Sequence, residues 1–161
     1  MTHPSIQRST LPIVALAFSL LIGCSQPTSK MNSQELNTFA KEYTASWCSQ
    51  TPSRVATHFA EGGSLTINDG EPSIGREAIA AAAQSFMTAF PDMIVRMDSL
   101  VEKRDHIEYH WTLIGTNTGP GGTGRAVNIS GYEEWALSKD GLIQRSLGHF
   151  DAEEYARQLN G

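Results

Sequence analysis

An α+β domain, with helices gathered on one face of a curved antiparallel sheet, is the fold class this sequence predicts. Two observations carry it. Apolar residues recur at helical spacing up to Phe90, and the period changes to two after Pro91. The later strands are separated by short turn signals such as Asp140-Gly141, so hairpins join them. Helices segregated from an antiparallel meander are the α+β pattern.

The elements follow in order. Asn32 can cap a first helix, with Glu35 three residues on as in a capping box. Leu36, Phe39, Ala40, Tyr43 and Trp47 give that helix one apolar stripe. Thr51-Pro52 opens a short second helix that turns Val55 and Phe59 inward and stops at Gly62-Gly63. Residues 64–67 form a short strand, and Asn68-Asp69-Gly70 turns the chain. A third helix runs from about Gly75 to Phe90, with Ala80 to Ala83 raising its propensity. Four strands are expected over residues 93–103, 106–116, 125–137 and 142–150, then a terminal helix that Asp151 can cap. Strands this long twist and curl, and a curled sheet over helices leaves a concave pocket.

The N-terminus reads as an export signal. Residues 1–10 hold Arg8 and no acid, and Leu11 to Ile22 is almost unbroken apolar sequence, too short to span a bilayer permanently. Leu21-Ile22-Gly23-Cys24 resembles a bacterial lipobox. The expected organisation is therefore a signal peptide over 1–23, a lipidated Cys24 and tether over 24–32, and one folded domain over 33–161. That resemblance implies a lipid-anchored, periplasm-facing protein of the cell envelope, at the outer membrane if the cell is Gram-negative, because Ser25 rather than Asp follows Cys24. Acyl chains anchor through roughly 0.8 kcal/mol per buried methylene.

Charge and cysteine content exclude several classes. The net charge of −5 comes without any Lys/Arg cluster, which argues against a nucleic-acid partner. With Cys24 acylated, only Cys48 remains, so the domain holds no internal disulfide; Cys48 reads as a small buried residue, or as a site of intermolecular pairing. No Cys/His/carboxylate spacing suggests a metal, and no cofactor is expected. Gly119-Pro120-Gly121-Gly122-Thr123-Gly124 spells G-x-G-x-x-G, but a strand follows it rather than a helix, so it reads as a flexible hairpin loop.

Phe86-x-x-x-Phe90-Pro91-Asp92, Gly115-Thr116-Asn117-Thr118-Gly119, Asp140-Gly141-Leu142-Ile143 and Gly148-His149-Phe150-Asp151 with Gln158-Leu159 together resemble the nuclear transport factor 2-like superfamily, and within it SnoaL-like proteins. The resemblance spans roughly residues 33–160. It implies a cone-shaped barrel, a curved antiparallel sheet wrapped around the three N-terminal helices, with a cavity at the wide end. It also implies a homodimer formed through the sheet. The superfamily includes polyketide cyclases, ketosteroid isomerases, epoxide hydrolases, dehydratases and members without chemistry, so the fold does not assign an activity. Asp151 matches the late acid/base Asp of the cyclases. Asn117 stands where a related motif carries His.

Candidate chemistry follows from the residues. His149 and Asp151 are two apart at a strand end, and a carboxylate beside an imidazole can orient it and raise its pKa. In a dry pocket such a pair can abstract a proton next to a carbonyl; alternatively Asp151 caps the terminal helix and His149 is a satisfied interior residue. Glu133 is the second candidate, in phase with Val127, Ile129, Trp135 and Leu137. A carboxylate on a core face is costly unless paired or set in a polar pocket. A bulge at Gly131 would instead turn Glu133 outward and Glu134 inward. His110, opposite Trp111, reads as solvent- or partner-facing. Tyr43, Trp47, His58, Trp111, Glu133 and Trp135 are the expected contacts to a bound molecule. The expected function is a pocket for a small, mostly apolar molecule, with cyclase- or isomerase-type acid/base chemistry; the alternative is a non-catalytic binding or protein-interaction lipoprotein.

Overall fold

A computed structural model describes residues 31–161. The expected signal peptide, Cys24 and all of the tether but Met31 and Asn32 lie outside the described residues. Among the described residues no helix is long and apolar enough to cross a membrane.

Helix α1 (Ser33–Trp47) begins at the expected capping box. Asn32 Oδ1 accepts from the backbone N–H of Gln34 and Glu35, both at 3.0 Å, while the Glu35 carboxylate accepts from Asn32 N–H at 2.8 Å. Reciprocal bonds of this kind satisfy donors that a helix start leaves unpaired. Leu36, Ala40, Tyr43 and Trp47 are its buried stripe. Helix α2 (Pro52–Ala56) is shorter than expected. Phe59 is buried as the first residue of strand β1 (Phe59–Ile67), not as the end of a helix. The pair Gly62-Gly63 is therefore not a helix stop. It lies where the pairing register of β1 shifts, and a Cβ on Gly63 would sit 2.7 Å from the Ile143 carbonyl. Glycine in a strand commonly marks such a bulge or close approach.

Strand β2 (Ser73–Ile74) pairs with β1, and helix α3 (Gly75–Ala89) follows. The meander comprises β3 (Ile94–Glu102), β4 (Ile107–Thr116), β5 (Ala126–Leu137) and β6 (Ile143–Phe150), and α4 (Ala152–Asn160) closes the chain. The order across the sheet is β2-β1-β6-β5-β4-β3. All pairs are antiparallel except β1 with β6, which are parallel. The sheet is curved and open, with β2 and β3 at its edges. The hairpin signals account for β3 to β6; the β1–β6 pairing is non-local and leaves no turn signature.

The core lies between α1, α3 and the inner face of the sheet. Trp135, Tyr43, Tyr109, Phe59, Phe90 and Ile79 are its largest fully buried side chains. The loop after β4 is held to the end of α3. Asn117 donates from Nδ2 to the Ala89 carbonyl at 3.2 Å and accepts from Thr123 N–H at 2.8 Å, and Gly119 packs directly on the backbone of Thr88 and Ala89. The glycine-rich stretch is thus anchored where Gly119 meets that helix end. Asn117 ties the two together.

Candidate active site

The site grows from the parity of β5. Pairing with β4 runs without interruption from Ala126 to Trp135, so Gly131 carries no bulge and Glu133 stays in phase with Ile129 and Trp135. Glu133 is consequently 6% exposed, on the inner face. Three side chains hold it. The Trp135 indole N–H donates to Oε2 at 2.8 Å, the Ser146 hydroxyl donates to Oε2 at 2.6 Å, and the Tyr43 hydroxyl spans both oxygens at 3.0 and 3.1 Å. Around them, Tyr109 stacks on Trp135 with centroids 4.7 Å apart, and Tyr43 meets both rings edge-on at 5.5 and 5.1 Å. The Tyr109 hydroxyl is bonded in turn to Thr44 Oγ1 at 2.8 Å.

Burial sets the electrostatics. It raises the Glu133 pKa above its ordinary value, against the opposing pull of the Ser146, Trp135 and Tyr43 donors. Burial and the nearby Glu133 charge push Tyr43 well above the usual tyrosine range, so its hydroxyl stays a donor. The two carboxyl oxygens are not equivalent. An indole N–H can only donate, so Oε2 must accept from Trp135. With Ser146 and Tyr43 also on Oε2, a proton on the carboxyl belongs on Oε1, whose one partner among the described residues is the shared Tyr43 hydroxyl.

Glu133 borders a cavity whose wall also includes Trp47, Phe86, Val95, Tyr109, Trp111, Leu113, Ile129 and Phe150. The space in it that the centre of a water molecule can occupy is ≈ 60 Å³. Gly148 faces Glu133 across β5 and β6 and keeps that part of the wall open.

The expected residues separate into three groups. Trp47, Trp111 and Glu133 line the cavity. Tyr43 and Trp135 stand behind Glu133 and bind it rather than the cavity contents. His58 is farther back, with Nε2 at 3.0 Å from Ser46 Oγ and its ring edge-on to Phe39 and Tyr43; burial lowers its pKa.

Asp151 and His149 do not enter the cavity. On β6, Ser146, Gly148 and Phe150 face inward, so His149 faces outward, 3.3 Å from the Glu134 carboxylate and stacked on Tyr132 at 4.7 Å. Asp151 is exposed past the strand end and accepts from Glu154 N–H at 2.9 Å as the cap of α4. Both border a shallow outer depression. The expectation of a dry Asp–His pair gives way to a capping residue and an outer-face histidine. The sequence reading missed Ser146, a fully buried hydroxyl. Its spacing of two from Gly148 and four from Phe150 was the available signal. Among the described residues no cluster of His, Cys, Asp and Glu is placed to hold a metal ion.

A curved open sheet over helices, with a buried carboxyl at the wall of an apolar cavity, defines a ketosteroid isomerase-like α+β domain. The chain belongs to the SnoaL-like polyketide cyclase family, whose model matches residues 37–159. Solved structures agree on the fold. TsrD from Streptomyces laurentii superposes with a TM-score of 0.71 at 19% identity, covering 81% of this chain and 98% of its own. A hypothetical protein with a ketosteroid isomerase-like fold from Catenulispora acidiphila, in complex with trimethylamine, gives 0.67 at 16%, covering 75% and 91%. The epoxide hydrolase/cyclase-like enzyme SalBIII, of pyran ring formation in the polyether salinomycin, gives 0.66 at 16%, covering 78% and 97%. A comparison with curated proteins finds no match.

Proposed function

We propose that this domain binds a small, mostly apolar carbonyl compound in its cavity and moves a proton on it, with Glu133 as the acid/base. One observation carries the reading. A carboxyl whose proton affinity is raised by burial sits at the wall of a cavity otherwise made almost entirely of carbon. Family membership supports the reaction class, cyclase or isomerase.

In the ionised form, Glu133 removes a proton from the carbon next to the carbonyl. The C–H bond breaks, its electron pair forms the C=C bond of the enolate as the carbonyl π pair moves to oxygen, and the proton comes to rest on Oε1. An isomerisation returns that proton to another carbon of the conjugated enolate. A cyclisation uses the enolate carbon to attack a second carbonyl in the same molecule, and the new alkoxide takes the proton from Glu133. Ser146, Trp135 and Tyr43 hold the carboxyl in place through either step.

The same reading places the domain on a lipidated Cys24, supported by the lipobox-like Leu21-Ile22-Gly23-Cys24. Cys24→Ser should then move the protein from membrane to soluble fractions, and continued retention would remove the anchor from the proposal.

The test of the chemistry is deuterium exchange into β-tetralone in deuterium oxide. Wild-type protein should accelerate exchange, and Glu133→Gln, close in shape, should lose about 10²–10⁴-fold of that acceleration. Undiminished exchange by Glu133→Gln would leave a binding module in place of the enzyme.

A further inference from the structure

We infer that Trp111 is the residue that selects and orients the ligand, by donating its indole N–H to a carbonyl oxygen. The inference rests on the cavity reading above but not on turnover.

Trp111 lines the cavity from β4, two residues from Tyr109 on the same face. Its Nε1 is buried and has no hydrogen-bond partner among the described residues. Buried polar groups are seldom left unpaired, and an indole nitrogen can only donate. Of the other two indoles at this site, Trp135 spends its N–H on Glu133 and Trp47 is bonded to the Tyr43 hydroxyl. Trp111 has no such outlet, and its ring is confined. Opposite it on β5 is Gly131, where a Cβ would lie 2.6 Å from Trp111 Cζ2, so the missing side chain is what admits the ring. Phe150 packs against it edge-on at 6.3 Å. An N–H that is buried, confined and unanswered by the described residues is a site for an acceptor brought in by something else.

The rest of the wall limits what that ligand is. Leu65, Phe86, Val95, Leu113 and Ile129 offer only carbon, and Glu133 offers one underused oxygen. The complementary molecule has an apolar ring body and an acceptor oxygen, with an acidic C–H beside the group that carries it. A cyclic or aromatic ketone has all three features; the parent hydrocarbon has only the first.

The test uses a matched pair, β-tetralone and tetralin, with binding followed by calorimetry. Wild-type protein should bind the ketone about 5- to 10-fold more tightly, the size of one neutral hydrogen bond. Trp111→Phe should bring that ratio close to one by weakening the ketone alone. In the unmodified protein, the Trp111 indole proton should move downfield in heteronuclear NMR spectra with the ketone and hold its position with the hydrocarbon, a readout that survives any folding defect in the variant. A ratio that persists in Trp111→Phe, an indole proton unmoved at saturating ketone, or failure of wild-type protein to prefer the ketone would each overturn the inference. Glu133→Gln separates the two proposals, since it should stop exchange while the Trp111 indole proton still moves downfield with the ketone.

Discussion

Glu133 and Glu134 are neighbours on β5, yet they lie on opposite faces of the sheet and obey opposite electrostatics. Inside, Glu133 has three neutral donors, no cation among the described residues, and a raised pKa. Outside, Glu134 lies 3.3 Å from His149. There Glu108 pairs with Lys103 at 3.2 Å and His110 at 3.1 Å, and the His110 contact holds its carboxyl below the usual range. The outer face also stacks His110, Tyr132 and His149 in a row, with centroids 5.5 and 4.7 Å apart. Water screens the outer charges, so each pair contributes little. The inner carboxyl is buried, so its neighbours determine both stability and reactivity. One step along a strand separates a half-exposed carboxyl on the outer face from a buried group able to handle protons.

The sharpest way to break this contrast is to truncate each carboxyl. Glu133→Ala removes the acceptor of Trp135 and Ser146 and leaves their buried donors unpaired. It should cost about 3–5 kcal/mol in urea unfolding. Glu133→Gln keeps a carbonyl oxygen for those donors and should recover most of that loss. Glu134→Ala should change stability by no more than about 0.5 kcal/mol. Equal losses at the two positions would mean that the inner hydrogen bonds carry no special weight.

Acidity sharpens the comparison next. The folded state raises the Glu133 pKa above its ordinary 4.5, so the native protein holds this proton more tightly than the unfolded chain. The associated stability is fully present below pH 4.5 and is lost as pH rises through the folded pKa. Unfolding free energies of wild type and Glu133→Gln should therefore run parallel in acid. Above that range the wild type should fall relative to Gln, by at most about 1.4 kcal/mol per pH unit. The opposite slope would place a depressed pKa at Glu133. Ser146→Ala removes the shortest donor to the ionised form, so it should raise the pKa further and widen the window.

How much of this was legible depends on whether the signal was local. The capping box at Asn32, the turn at Asp140-Gly141 and the period-two pattern of β5 are written in neighbouring residues, and the parity of Glu133 follows from them. The bulge at Gly62-Gly63 and the parallel pairing of β1 with β6 depend on strands some 80 residues apart, and no local pattern marks them. Ser146 faces inward because β6 lies between β1 and β5, with Ser146 in register with Trp135 on one side and Leu65 on the other. Of the two readings of Asp151, the structure shows the helix cap and not the pairing with His149. Spacing of two aligns side chains only inside a strand, and β6 ends at Phe150.

That strand end supplies the smallest effect. Asp151 gives α4 its one side-chain cap bond, to Glu154 N–H, and α4 has no buried residue. The helix is held by Tyr155 against Phe90 and Phe150, and by Gln158, which bonds both the N–H and the carbonyl of Asn128. Asp151→Ala should therefore cost about 1 kcal/mol or less, seen as faster amide exchange confined to α4. Exchange into β-tetralone should stay within about twofold of wild type, since the cap is remote from the carboxyl that handles the proton. A large loss of exchange in Asp151→Ala, with α4 still protected, would return the acid/base role to the strand end and leave Glu133 as a structural carboxyl. The position of the chemistry thus turns on which of two acidic side chains, one dry and one wet, the reaction requires.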